Sequence, residues 1–219
     1  MLRAALNSTK KKIKDILPQR LVMSHLPKQA SNCILLTFDD GPHPETTQRV
    51  LKLLKEYSAR AIFFVVGQRI EKASYLLKHI QEQGHIIGNH TYIHSDSRQP
   101  WLWAYFLDLL HCQAVIEKQT GNRPRLFRPA GGRISTASLL APRLLGMRTV
   151  SWSLEANDWR CRTTQEAQQA AELLINKLKS GDIVLLHDDN PHILEILDIV
   201  LPLMRSQKIN LYNGIDFID

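Results

Sequence analysis

The sequence predicts a single-domain α/β fold, with about seven parallel strands alternating with helices and closing toward a barrel. Three observations carry this. The chain has 219 residues, enough for one domain with a full core. From Cys33 onward, short apolar runs alternate with longer amphipathic segments over short connections, which is the pattern of a parallel sheet. Polar residues follow those runs: Asp39-Asp40, His90, Arg128, Asp158 and His187 all stand at or beyond a strand's end, where a parallel barrel carries its chemistry.

The elements follow in order. Residues 1–31 read as a basic N-terminal appendage and 32–219 as the folded domain. Leu2, Leu6, Ile13 and Leu17 share one helical face among Lys10, Lys11, Lys12 and Lys14. A solvated or docked helix is the simpler reading, and peripheral contact with an anionic membrane the sharper one. Ile34 to Phe38 is a buried strand turned by Gly41-Pro42, and Glu45 to Tyr57 is an amphipathic helix. Ala61 to Val66 is a β-branched and aromatic strand closed by Gly67, and Glu71 to Gln83 is a helix stopped by Gly84. A short strand at 85–87 precedes a long helix, Trp101 to Gln119, ended by Gly121. Its aromatic first turns (Trp101, Trp103, Tyr105, Phe106) read as core packing rather than a sugar platform. Strands follow at 126–128, 149–154, 183–186 and 209–212, and helices at 136–145, 164–179 and 192–206, the last bent or broken near Pro202.

Composition narrows the function classes. Apolar residues make up 44% and charged residues 22%, ordinary for a globular chain and unlike a disordered one. The net charge of +7 favours anionic partners, but no nucleic-acid motif accompanies it, so no nucleic-acid partner is expected. Cys33, Cys112 and Cys161 are odd in number and widely spaced, giving neither a disulfide framework nor a Cys-x-x-Cys metal pair. Residues 2–6 fall short of the roughly 7–15-residue apolar core of a signal peptide. No stretch reaches the ~20 apolar residues of a membrane span, so a cytoplasmic location is expected.

The chemistry begins at Thr37-Phe38-Asp39-Asp40-Gly41-Pro42. Two adjacent carboxylates at a strand's end repel each other, and a divalent cation offsets that cost. His90-Thr91-Tyr92-Ile93-His94 spaces two imidazoles so that one helical turn would aim both the same way. Alone, such a pair is weak evidence. With Asp40 it makes a two-histidine, one-carboxylate set that leaves positions open, the arrangement of a catalytic metal rather than a structural one. Zinc suits that set, with cobalt, nickel or manganese as alternatives. His187 stands out by ending an apolar strand. His25, His43, His79, His85, His111 and His192 carry no such signal.

In order and type these segments resemble the polysaccharide deacetylases, the NodB-like carbohydrate esterase family 4, over about residues 33 to 215. The family's Thr-Phe-Asp-Asp-Gly-Pro stands at 37–42, its His-(Ser/Thr)-x-x-His at 90–94, its Asp-Trp at 158–159 and its Leu-x-His at 185–187. The resemblance implies a distorted (β/α) barrel of the NodB-homology type. It implies Asp40, His90 and His94 as metal ligands and Asp39 as the general base acting on the attacking water, with Arg128 pairing with and tuning it. It implies His187 as the general acid oriented by Asp158, and Trp159 and Leu185 as the walls of an acetyl-methyl pocket. Two departures stand out. Where the family usually reads Arg-Pro-Pro-Tyr-Gly, this chain has Arg128-Pro129-Ala130-Gly131-Gly132. Gly131 then offers the oxyanion its N–H from a more flexible loop, in a cleft whose wall is opened by the missing ring. Glu155 replaces the leading aspartate of the fourth motif. The implied activity is metal-dependent removal of N-acetyl groups from a glycan's amino sugar. A weak or inactive glycan- or metal-binding member is the runner-up, then an O-acetyl esterase on the same site. A two-metal phosphoesterase has too few ligands.

Overall fold

A computed structural model describes residues 17–95 and 101–218. The strands are β1 (Val22–Met23), β2 (Leu35–Asp39), β3 (Ala61–Val65), β4 (Ile86–Asn89), β5 (Leu126–Phe127), β6 (Arg148–Val150), β7 (Leu154–Glu155) and β8 (Ile183–His187). The helices are α1 (Thr46–Glu56), α2 (Gly67–Ala73), α3 (Tyr75–Glu82), α4 (Leu102–Thr120), α5 (Thr136–Leu144), α6 (Thr164–Lys177) and α7 (Ile193–Ser206). The eight strands form one sheet in the order β1-β6-β5-β4-β3-β2-β8-β7, and every pairing is parallel.

Chain length forces this sheet to curl. β6 and β7 lie six places apart, which in a flat sheet would separate them by about 29 Å. Only Ser151-Trp152-Ser153 joins them, and four residue steps reach at most about 14 Å. The strand expected at 149–154 is therefore two strands at opposite ends of the order, linked across the barrel's open side.

The central strands are buried on both faces, as a parallel sheet requires. Leu36, Phe38, Phe63, Val65, Val184 and Leu186 face the helices, meeting Leu51, Leu77 and Leu197 among others. The alternate residues Leu35, Ile62, Phe64 and Ile183 turn inward to Met23, Leu126, Val150 and Ile215. α4 packs through Tyr105 and Leu109 on Phe127, Ala141 and Met147.

Several expectations change. Val22–Met23 pairs with β6 and is buried, so the sheet starts ahead of the boundary placed at residue 32. Most of the proposed N-terminal basic helix lies outside the described residues. The helix expected at 71–83 begins earlier and divides at Ser74 into α2 and α3. Residues 209–212 contribute only a bridge between Asn210 and Cys33. α7 runs unbroken through Pro202, because Ile196, Leu197, Val200, Leu201 and Met204 bury an apolar face that outweighs the lost hydrogen bond. Trp101 (88% exposed) and Trp103 (68%) are not core; of that aromatic cluster only Tyr105 is fully buried. The three cysteines are buried free thiols. Among the described residues no helix is long and apolar enough to cross a membrane.

Candidate active site

The predicted site residues converge at the C-terminal ends of the strands: all but Arg128 and Asp158 line one cleft of about 510 Å³, and those two are buried behind Asp39 and His187. Strand register does part of the work: β2 and β8 pair with Asp39 opposite His187, so two groups distant in sequence end side by side.

Asp39 is buried and bound to Arg128 Nη1 at 2.7 Å. The same nitrogen donates to Thr37 Oγ1 at 2.7 Å. Nη2 donates to the Ser151 carbonyl at 2.9 Å and Nε to the Val150 carbonyl at 3.3 Å, while the guanidinium lies over the Phe64 ring. Arg128 is fully buried, and burial lowers its pKa while Asp39 offsets the effect. With its donors engaged, the arginine is a fixed charge locking one face of the carboxylate.

Asp40 takes a left-handed backbone conformation, φ 72°. Its Oδ1 lies 3.1 Å from His94 Nε2 and 3.4 Å from His90 Nε2. Yet that buried oxygen accepts no hydrogen bond of proper geometry. One ligand atom from each of the three residues lies within 4.8 Å of the others. Ligands about 2.1 Å from a tetrahedral ion stand about 3.4 Å from one another, so the spacing fits zinc or a similar divalent ion. His90 Nδ1 lies 2.8 Å from the Arg128 carbonyl, which can only accept, so Nδ1 is the donor there and Nε2 is the nitrogen that faces the cluster. Burial alone would raise Asp40, but the two imidazoles hold it well below the usual carboxylate range. Asp40 in turn raises His94 above its ordinary value.

The helical turn expected at 90–94 is absent: Thr91 and His94 have positive φ, and the segment is a loop. Its shape comes from residues the sequence reading missed. Asp108 of α4 accepts from the Tyr92 and Ile93 N–H groups at 3.1 and 3.3 Å and from Ser95 Oγ at 2.8 Å. Asn89 accepts from the Thr91 N–H and donates to the Leu109 carbonyl. The free N–H groups at the start of α2, Gly67 and Gln68, donate to the Thr91 and Tyr92 carbonyls. A lone carboxylate inside the apolar Leu107-Asp108-Leu109 run was the signal available for Asp108.

Across the cleft, Asp158 grips His187 twice. One oxygen lies 3.1 Å from Nδ1 and the other accepts the His187 N–H at 2.6 Å. Burial alone would lower the imidazole, but Asp158, then Asp39 and Asp40, raise it to about 9. These carboxylates favour the charged form of His187 at neutral pH.

Ala130–Gly132 is a single 3-10 turn in which Gly131 and Gly132 have φ 58° and 64°, a region glycine favours. A Cβ on Gly132 would meet Trp152 Cη2 at 2.1 Å. The Trp152 indole thus packs against Gly132, and Glu155 Oε2 accepts from its Nε1 at 3.1 Å; at Gly131, the position of the family's ring, an added Cβ would have only Arg133 Nε within 4 Å, at 3.8 Å. The loop's aromatic neighbour therefore lies at Gly132, one residue past the missing ring. Trp159, half exposed, and Leu185, buried, also line the cleft.

Comparison with known proteins agrees with this geometry. Residues 26–150 match the family model described as polysaccharide deacetylase. The chain is 36% identical over 203 residues to a peptidoglycan-N-acetylglucosamine deacetylase of Bacillus cereus, covering 89% of this chain and 91% of that one. Its fold matches the crystal structure of the Bc1960 peptidoglycan N-acetylglucosamine deacetylase, with a TM-score of 0.80, 26% identity, and 88% and 90% of the two chains covered. It also matches a family 4 acetyl xylan esterase from Clostridium thermocellum in complex with a cobalt ion. That TM-score is 0.71, with 35% identity and 80% and 84% covered.

Proposed function

The chain belongs to the polysaccharide deacetylase family, and on that premise we propose that it is a metal-dependent hydrolase removing N-acetyl groups from an amino sugar of a glycan. N-acetylglucosamine in peptidoglycan is the first substrate to test, because the Bacillus cereus relative is named for it. One observation supports the reading above the others. An arginine-locked carboxylate and a carboxylate-held imidazole line the same cleft as the Asp40-His90-His94 cluster.

Amide hydrolysis needs an activated water, charge stabilisation at the carbonyl oxygen, and a proton for the amine. A divalent ion held by Asp40, His90 and His94 supplies Lewis-acid polarisation and water activation when bound. Asp39 takes the proton of the attacking water, with its other face fixed by Arg128. The Gly131 N–H donates to the developing oxyanion. His187 then gives its proton to the departing nitrogen, while Asp158 keeps the ring in place and charged. Trp159 and Leu185 receive the acetyl methyl.

The test is acetate release from N- and O-acetylated glycans with zinc or cobalt present, comparing wild type with Asp39→Asn. Release that requires both metal and Asp39 is expected. Metal bound stoichiometrically without release from any substrate would replace this reading with that of a binding protein. The likeness to the acetyl xylan esterase supports a second reading, O-deacetylation. An ester's leaving group needs less protonation, so His187→Ala would then slow the enzyme far less than it slows an amidase.

A further inference from the structure

We infer that Arg69 is a positioning residue, which sets the turn carrying the metal ligand Asp40 and ties it to the loop carrying His187. The inference rests on the metal assignment above and concerns a residue that lines neither the cleft nor the ligand cluster.

The turn after β2 presents three successive carbonyls, and each has a different donor. The Asp39 carbonyl accepts from the Asp188 N–H at 3.3 Å, and the Gly41 carbonyl from the Val66 N–H at 2.8 Å. Between them, the Asp40 carbonyl accepts from Arg69 Nη1. The outer two donors are backbone groups that any side chain would leave in place. The middle one is a side chain, so it is the contact a substitution can delete. It also falls on the residue with the left-handed backbone, whose carboxylate must reach between His90 and His94.

The same nitrogen donates to Asp189 Oδ2 at 2.8 Å. Asp189 stands two residues beyond His187. One guanidinium on α2 therefore bridges the loops after β2 and β8, and α2 also grips the histidine loop through Gly67 and Gln68. All three groups of site residues meet on this helix. As an ion pair alone, Arg69–Asp189 is too exposed to add much stability. Its effect lies in orientation, since groups that orient a ligand typically change metal affinity by about 10–100-fold when removed.

The experiment titrates Co2+ into metal-free wild type, Arg69→Ala, Arg69→Lys, Asp189→Ala and the Arg69→Ala/Asp189→Ala double variant. It reads Kd, the visible absorption of bound cobalt, and the metal-free melting temperature. Arg69→Ala should weaken cobalt about 10–100-fold and alter the absorption, with a nearly unchanged metal-free melt. Arg69→Lys should recover part of the affinity, since an ammonium can still donate to the carbonyl but from a flexible stem without the rigid planar guanidinium. The double variant should be no worse than Arg69→Ala, because Asp189 acts through Arg69. Wild-type Kd and absorption in Arg69→Ala would overturn the inference and leave the proposed function standing. So would a loss of affinity that merely tracks a fallen melting temperature across both Arg69 variants. A wild type that binds no cobalt would overturn both.

Discussion

Replacing Arg128 with methionine should destabilise the fold by about 3–5 kcal/mol, the cost of leaving one buried charge without its partner. Arg128 is fully buried and Asp39 only 4% exposed, so water cannot take over the missing contact. Methionine fills much of the volume but leaves Asp39 Oδ1 without its 2.7 Å donor. It also strips the Val150 and Ser151 carbonyls of theirs, which pushes the loss toward the upper end. Against a typical total of about 5–15 kcal/mol, this is a large fraction. Urea unfolding of the metal-free protein measures it. With a slope near 3 kcal/mol per molar, the midpoint should fall by about 1–2 M. The double variant Asp39→Asn/Arg128→Met removes both charges and should recover at least half of the loss. A single variant as stable as wild type would refute the reasoning. So would a double variant as unstable as the single one, since the cost would then not come from the charge on Asp39.

Three further outcomes are expected. His187 is raised to about 9, so its pair with Asp158 stabilises the fold fully below the ordinary value of 6.5 and loses that contribution as pH rises through about 9. Activity should fall over the same upper range, and Asp158→Asn should move the alkaline limb of kcat/KM down by about 1–3 units; an unmoved limb would remove His187 as the acid. Because Asp40 raises His94 above 6.5 in the metal-free protein, cobalt binding must displace a proton. Calorimetry in buffers of different ionisation enthalpy should show proton release that grows as pH falls toward 6; none at any pH would exclude His94 as a ligand. Gly41→Ala would bring a Cβ within 2.3 Å of the buried Asp188 carboxylate, costing about 1–3 kcal/mol and shifting Asp40. An unchanged melting temperature and cobalt affinity would show that the turn tolerates a side chain.

What the sequence by itself determined was set by neighbours along the chain. The apolar run into Asp39-Asp40 and the Gly41-Pro42 turn placed two acids at a strand end, and the strand ended there. The apolar spacing in α1 and the glycine after α4 bounded those helices to within a residue or two. The order of the motifs named Asp39, Asp40, His90, His94, Gly131, Trp159, Leu185 and His187, all of which line the cleft. What only the tertiary structure decided rests on groups far apart in sequence. Arg128 meets Asp39 across 89 positions, and Asp158 meets His187 across 29. His90 and His94 share a face because Asp108, Asn89 and the start of α2 hold a loop in shape, although their spacing suggested a helical turn. The segment 149–154 divides because a curled sheet brings its far strands together, and no local propensity records that curl. Trp101 and Trp103 have the hydrophobicity of core residues, but which face of α4 is covered depends on where β5 and α5 pack. Propensity and periodicity act over one or two turns of chain. Partners for buried charges and polar groups are chosen by the packing of the whole domain.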